Sequence, residues 1–82
     1  MKNKRYIVII TKHDTDGSSY VESFGNTFTN KEKAKQCVKT LINEELSSLG
    51  NTYKKVGTII LDRFTEFVVS EYEIHEVITE YK

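Results

Sequence analysis

Residues 29–50, TNKEKAKQCVKTLINEELSSLG, decide the fold, because they read as a helix that marks both of its ends. Thr29-Asn30-Lys31-Glu32 has the spacing of a capping box. In that motif the Thr29 hydroxyl accepts from the Glu32 N–H, and the Glu32 carboxylate accepts from the Thr29 N–H. Neither Gly nor Pro interrupts the stretch before Gly50, which supplies the positive-φ stop expected past a last turn. Ala34, Cys37, Val38, Leu41, Ile42, Leu46 and Leu49 fall on one arc about 180° wide, the width of a core-facing stripe. The spacing predicts a helix over residues 30–49. Glu45 projects into the middle of that arc. Either the face drifts and Glu45 escapes to solvent, or it is partly buried against a Lys, an Arg or a Tyr hydroxyl.

Strand-like sequence lies on both sides of the helix. Residues 4–12 are rich in β-branched side chains and apolar on both parities (Tyr6, Val8 and Ile10; Ile7 and Ile9), as expected of a central strand. Asp14-Thr15-Asp16-Gly17-Ser18-Ser19 is turn chemistry, and Tyr20 to Phe28 reads as a second strand with Gly25 marking a bulge or break. Residues 5–28 are thus expected to form a hairpin. After the helix, residues 51–55 read as a polar connection, Val56 to Leu61 as a third strand and Asp62 to Glu66 as a turn. Phe67 to about Tyr81 is extended. It is too long for one average strand, so a bend near Ser70-Glu71 or a bulge near His75-Glu76 is expected. The expected fold is α+β, with an antiparallel sheet of four or five strands and one helix on one face, in the order β-β-α-β-β. Residues 1–82 make a single domain.

One helix covers one face. The apolar residues of the other parity need a second cover, and a homodimer through the open sheet face supplies one. A chain this short buries only about 60–65% of its unfolded surface, which leaves little room for a deep substrate cavity. With Cys37 as the only cysteine, no disulfide closes within the chain, and its apolar helical position reads as a small hydrophobe. The run Tyr6–Ile10 is too short for a signal-peptide core, and no transmembrane stretch is present, so the expectation is a soluble cytoplasmic protein.

Net charge is zero but unevenly spread. Residues 1–63 hold eleven Lys or Arg against seven Asp or Glu, a balance of +4. Residues 64–82 hold Glu66, Glu71, Glu73, Glu76 and Glu80 against Lys82, a balance of −4. Such asymmetry bears on partners and not on fold.

Chemistry-bearing patterns are sparse. His13 and His75 are far apart in sequence and lie in no zinc-like spacing, so no metal site is expected. Asp14-x-Asp16-Gly17 starts like a calcium loop, but the glycine comes too early and Ser23 stands where the bidentate Glu belongs. Neither Ser18-Ser19 nor Ser47-Ser48 has a nucleophile-elbow context, and the glycines form no phosphate-cradling loop. The chain is therefore read as a non-enzyme without a cofactor.

Two charged features point to partners. Lys31, Lys35 and Lys39 repeat at i+4 along one helix edge, and with Lys54 and Lys55 they form the alternative reading, a nucleic-acid-binding module. The neutral total argues against it, since nucleic-acid binders carry a basic excess. The terminal strand carries Glu71 and Glu73 on one parity and Glu76 and Glu80 on the other. Charge there either protects an edge strand from aggregation or forms an acidic stripe for a basic protein surface. The expected contact residues are Glu66, Glu71, Glu73, Glu76 and Glu80, with Phe67 and Tyr72 as apolar anchors. In size, AT-rich coding composition, single helix after a hairpin and acidic terminal strand, the chain resembles small proteins encoded by phages and mobile elements. Some of those are anti-CRISPR or other anti-defence inhibitors. The resemblance implies a protein that occupies a basic surface on a host protein and needs no active site.

Overall fold

Both parities of the first strand are apolar, and the sheet places that strand inside. The computed structural model describes the backbone of residues 2–80 and the side chains of residues 4–78. β1 (Lys2–His13) and β2 (Ser19–Phe28) form the expected hairpin, closed by Asp16 and Gly17. Asp16 Oδ1 accepts from the Ser18 N–H at 2.8 Å, and Gly17 takes φ 92°. After α1 (Lys31–Leu49) come β3 (Tyr53–Val56), β4 (Ile59–Asp62) and β5 (Val68–Glu80). The five strands form one antiparallel sheet in the order β2-β1-β5-β4-β3, with the helix on one face.

Three sequence expectations change in detail. The helix is capped by Asn30 and not by Thr29: Asn30 is extended (φ −126°, ψ 125°) and its side chain accepts from the Glu32 N–H at 2.8 Å. Asn is at least as good a cap as Thr, and the Glu32 carboxylate reaches Lys35 at 3.5 Å instead of closing a box. Val56 to Leu61 is not one strand. Gly57, at φ 61°, and Thr58 fold it into a tight hairpin, so residues 53–55 of the expected polar connection belong to β3. The acidic terminal strand is not an edge strand: β5 lies between β1 and β4, because its apolar parity has to pair beside Val8 and Ile10 to reach the helix. Its register with β1 runs unbroken from Ser70 to Glu80, and the irregularity falls opposite β4, at Val69. The Gly25 expectation holds. Between the pairs Ile9↔Ser23 and Ile7↔Thr27, Val8 alone faces Phe24, Gly25 and Asn26.

Val8, Ile10, Ala34, Val38, Ile42, Ile60 and Tyr72 form the buried core between helix and sheet. Fully burying one such aliphatic side chain contributes about 1.5–3 kcal/mol. Gly50 ends the helix at φ 92°, its N–H donating to the Leu46 carbonyl at 3.0 Å. β2 pairs with β1 only as far as Tyr6↔Phe28, and β4 meets β5 only at residues 68–71. The far end of β1 and β5 is therefore a two-stranded ribbon. It draws the molecule out to 52 Å and its radius of gyration to 14.7 Å. A compact chain of this length has a radius near about 12 Å.

Candidate protein-binding surface

Glu45 is a half-buried carboxylate on the helix face toward the sheet, and it is structural. It rises from α1 over β1 and β5, where Lys12 Nζ and Tyr72 OH donate to Oε1 and Ser70 Oγ donates to Oε2. Ser70 is fully buried, and Lys12 Nζ reaches its hydroxyl at 3.3 Å. Burial pushes the Glu45 pKa up. The hydrogen bonds from Lys12, Ser70 and Tyr72, with the charge of Lys12, outweigh it and hold the group below the usual range. Burial, the Glu45 hydrogen bond and nearby carboxylates push the Tyr72 hydroxyl well up. Every member has a partner, so the cluster is a clasp from helix to sheet. Among the described residues, no buried side-chain polar atom lacks a hydrogen-bond partner.

This placement corrects the reading of Tyr72 as a contact anchor: it is 3% exposed, with its hydroxyl committed to Glu45. The acidic residues also fail to form one stripe. Glu71 and Glu73 lie on the sheet face away from the helix, where His13 Nε2 meets Glu71 Oε2 at 2.8 Å and His75 Nε2 meets Glu73 Oε2 at 2.7 Å. Glu76 has the opposite parity and pairs with Lys4 at 3.3 Å. Glu80 lies in β5, but its side chain is outside the described residues. Among the described residues, no three His, Cys, Asp or Glu side chains converge as metal ligands. Cys37 is half-buried, and burial, with the Glu44 charge, pushes its thiol pKa up, away from a reactive thiolate.

Beside Glu66 and Phe67 lies a feature that the sequence reading passed over. Asp62 Oδ1 accepts from the N–H groups of Phe64 (2.7 Å) and Thr65 (3.0 Å), and these bonds lower its pKa. The Asp62 and Glu66 backbones close the loop, with Glu66 N–H donating to Asp62 O and Asp62 N–H donating to Phe67 O, both at 2.9 Å. Glu66 itself sits at φ 61°, a conformation that costs a non-glycine residue about 1–2 kcal/mol. A loop held this way presents Phe64 at 81% exposure, the highest of any large hydrophobic residue described. Phe67 is half-buried and lines a shallow hollow with His13 and the β1–β2 turn. A large aromatic inside an otherwise polar turn was the available sequence signal.

The lysines of the alternative reading are dispersed. Lys31, Lys35 and Lys39 are exposed on α1. Lys54 and Lys55 are consecutive on β3 and so point to opposite faces of the sheet. With Arg63 they line a depression beside Gly50 at the carbonyl end of the helix. The last turn of α1 has no basic residue of its own. No helix is long and apolar enough to cross a membrane among the described residues. Comparison with known proteins matches this chain to no family model, no curated protein and no solved structure.

Proposed function

We propose that this chain is a non-enzymatic protein-binding module that docks on a basic surface of a partner protein. Phe64 is the apolar anchor, and Glu66, Glu71 and Glu73 supply the charge. The observation that carries the reading is the exposure of Phe64 on a loop closed by hydrogen bonds and strained at Glu66. A pre-ordered aromatic loses little conformational freedom on docking, and left-handed non-glycine residues concentrate at functional loops. The mode of action suits a small phage-type inhibitor, which works by occupying a surface. In the cell such a module is cytoplasmic.

The test is retention of a host protein on immobilised chain, compared across three variants. Phe64→Ala and the double variant Glu71→Lys/Glu73→Lys each weaken capture severalfold with little change in the urea midpoint. The triple change of Lys31, Lys35 and Lys39 to Ala leaves capture unchanged. Micromolar binding to single- or double-stranded nucleic acid at physiological salt that vanishes in the lysine variant would transfer the reading to nucleic-acid binding. A second reading, a homodimer through the open sheet face, is favoured by Ile7, Ile9 and Ile59, which the helix does not cover.

A further inference from the structure

The outer edge of β2 runs beside an open groove about 570 Å³ in volume, between that strand and α1. Phe24 and Phe28, stacked at 6.1 Å between ring centroids, form its strand wall, and Cys37 and Leu41 form its helix wall. These four side chains are each half-buried, so the groove is apolar where it is deepest. Its ends are charged and opposite in sign. Lys33 lies at the Phe28 end and Glu44 lies eleven residues further along the helix, a span of about 16 Å at 1.5 Å per residue. Glu22 stands on β2 at the Glu44 end: both carboxylates act on the same Tyr72 hydroxyl.

The edge itself has free backbone groups. Tyr72 N–H donates toward β4, to Thr58 O at 2.9 Å, and antiparallel alternation follows from that bond across the registered pairs. It turns the backbone of Tyr20 and Glu22 toward β1, and that of Val21 and Ser23 outward. Val21 is 65% exposed. The bulge at Gly25 limits how far a second β2 can pair with this edge, so a long edge-to-edge dimer is disfavoured.

We propose that this groove is a second binding site, separate from the Phe64 surface, for an extended peptide that adds to β2 as a sixth strand. An antiparallel segment enters at the Lys33 end, lies in the groove alongside the Gly25 bulge, and pairs with the β2 edge only at Val21 and Ser23 before leaving at the Glu22–Glu44 end. At about 3.3 Å per residue, 16 Å spans five residues, and alternate side chains point into the groove. The peptide it takes therefore reads acidic–x–apolar–x–basic. The acid meets Lys33, the apolar residue enters between Phe24, Phe28, Cys37 and Leu41, and the base meets Glu44 and Glu22.

The test uses two labelled synthetic peptides of identical composition, Thr-Glu-Thr-Leu-Thr-Lys-Thr and its charge-reversed order Thr-Lys-Thr-Leu-Thr-Glu-Thr. Fluorescence anisotropy with the full chain should give saturable binding of the first, at least fivefold tighter than the second. The double variant Lys33→Glu/Glu44→Lys, at exposed positions, should invert that preference. Val21→Pro deletes an outward N–H, and Thr40→Trp fills the groove from an exposed helix position. Each should weaken binding tenfold or more, and if Val21→Pro disturbs the fold, Thr40→Trp alone decides. Amide shifts on binding should centre on Val21, Ser23 and Leu41. No saturable binding by either peptide, an unchanged preference in the charge swap, or shifts centred on Ile7 and Ile9 would each overturn the proposal. So would a Val21→Pro effect explained by loss of a dimer in light scattering.

Discussion

Replacing Lys12 with Met tests whether the clasp at Glu45 holds the helix to the sheet. The Lys12 and Glu45 side chains are 25% and 15% exposed, so the pair is largely but not fully withdrawn from water. Breaking a fully buried ion pair from one side costs about 3–5 kcal/mol. Here the carboxylate keeps two donors, Ser70 and Tyr72, and some access to water, which lowers the expected loss to about 1–3 kcal/mol. A domain of this length has a total stability of about 4–12 kcal/mol, so the loss is a visible fraction. In urea the midpoint should fall by about 1–2 M. Glu45→Gln should cost a similar amount, and the double variant Lys12→Met/Glu45→Gln should cost clearly less than the two singles together. The sign with pH follows from the lowered Glu45 pKa. Its contribution is present above the unfolded carboxylate value and is lost as pH falls through the folded value. The gap in midpoint between the native chain and Glu45→Gln should thus narrow from pH 7 to pH 3. Single effects that add within about 0.5 kcal/mol, or a gap that stays constant over that range, would refute the clasp.

Ile42→Ala, at a position 2% exposed, should cost about 2–4 kcal/mol in urea unfolding, whereas Leu41→Ala, in the half-buried groove wall, should cost less. An equal cost at both positions would show that the helix is rotated from its described phase. Tyr72 has a raised pKa, so its contribution is full below the unfolded tyrosine value near about 10 and is lost as pH climbs above it. Tyr72→Phe should flatten the alkaline fall in stability, and an unchanged fall would assign it to other groups. Light scattering at micromolar concentration should give about twice the monomer mass, reverting to monomer in Ile7→Lys. A monomeric native chain would leave the open face to a different partner.

The α+β class, the hairpin before the helix, the turn at Asp16-Gly17, the bulge at Gly25 and the helix bounds were legible in sequence because each rests on neighbours within a few residues. Cap chemistry, 3.6-residue periodicity and a positive-φ glycine act locally. Even so, local reading misplaced the cap by one residue, since Thr29 and Asn30 are both good caps and only the chain's entry angle selects Asn30. It also missed the Gly57 turn, because a two-residue turn inside an apolar run looks like a strand with one weak position.

The surfaces were another matter. Glu45 occupied an ambiguous place on the helical wheel, and its burial was decided by Lys12, Ser70 and Tyr72, which lie 33, 25 and 27 residues away in sequence. Tyr72 reads as an exposed aromatic in an acidic strand until β5 is placed between β1 and β4, where its parity turns it under the helix. Strand alternation in the sequence already separates Glu71 and Glu73 from Glu76, but which of the two faces lies under the helix was set only by the sheet. By itself, the sequence determined the helix, the first hairpin and the extended terminal segment, and that a single helix covers one face, because those choices are made by local backbone preference and patterning. Strand order was left to tertiary structure, and with it which carboxylates are buried, paired or free for a partner. Contacts between residues far apart in the chain depend on how the sheet closes, and no local pattern encodes that.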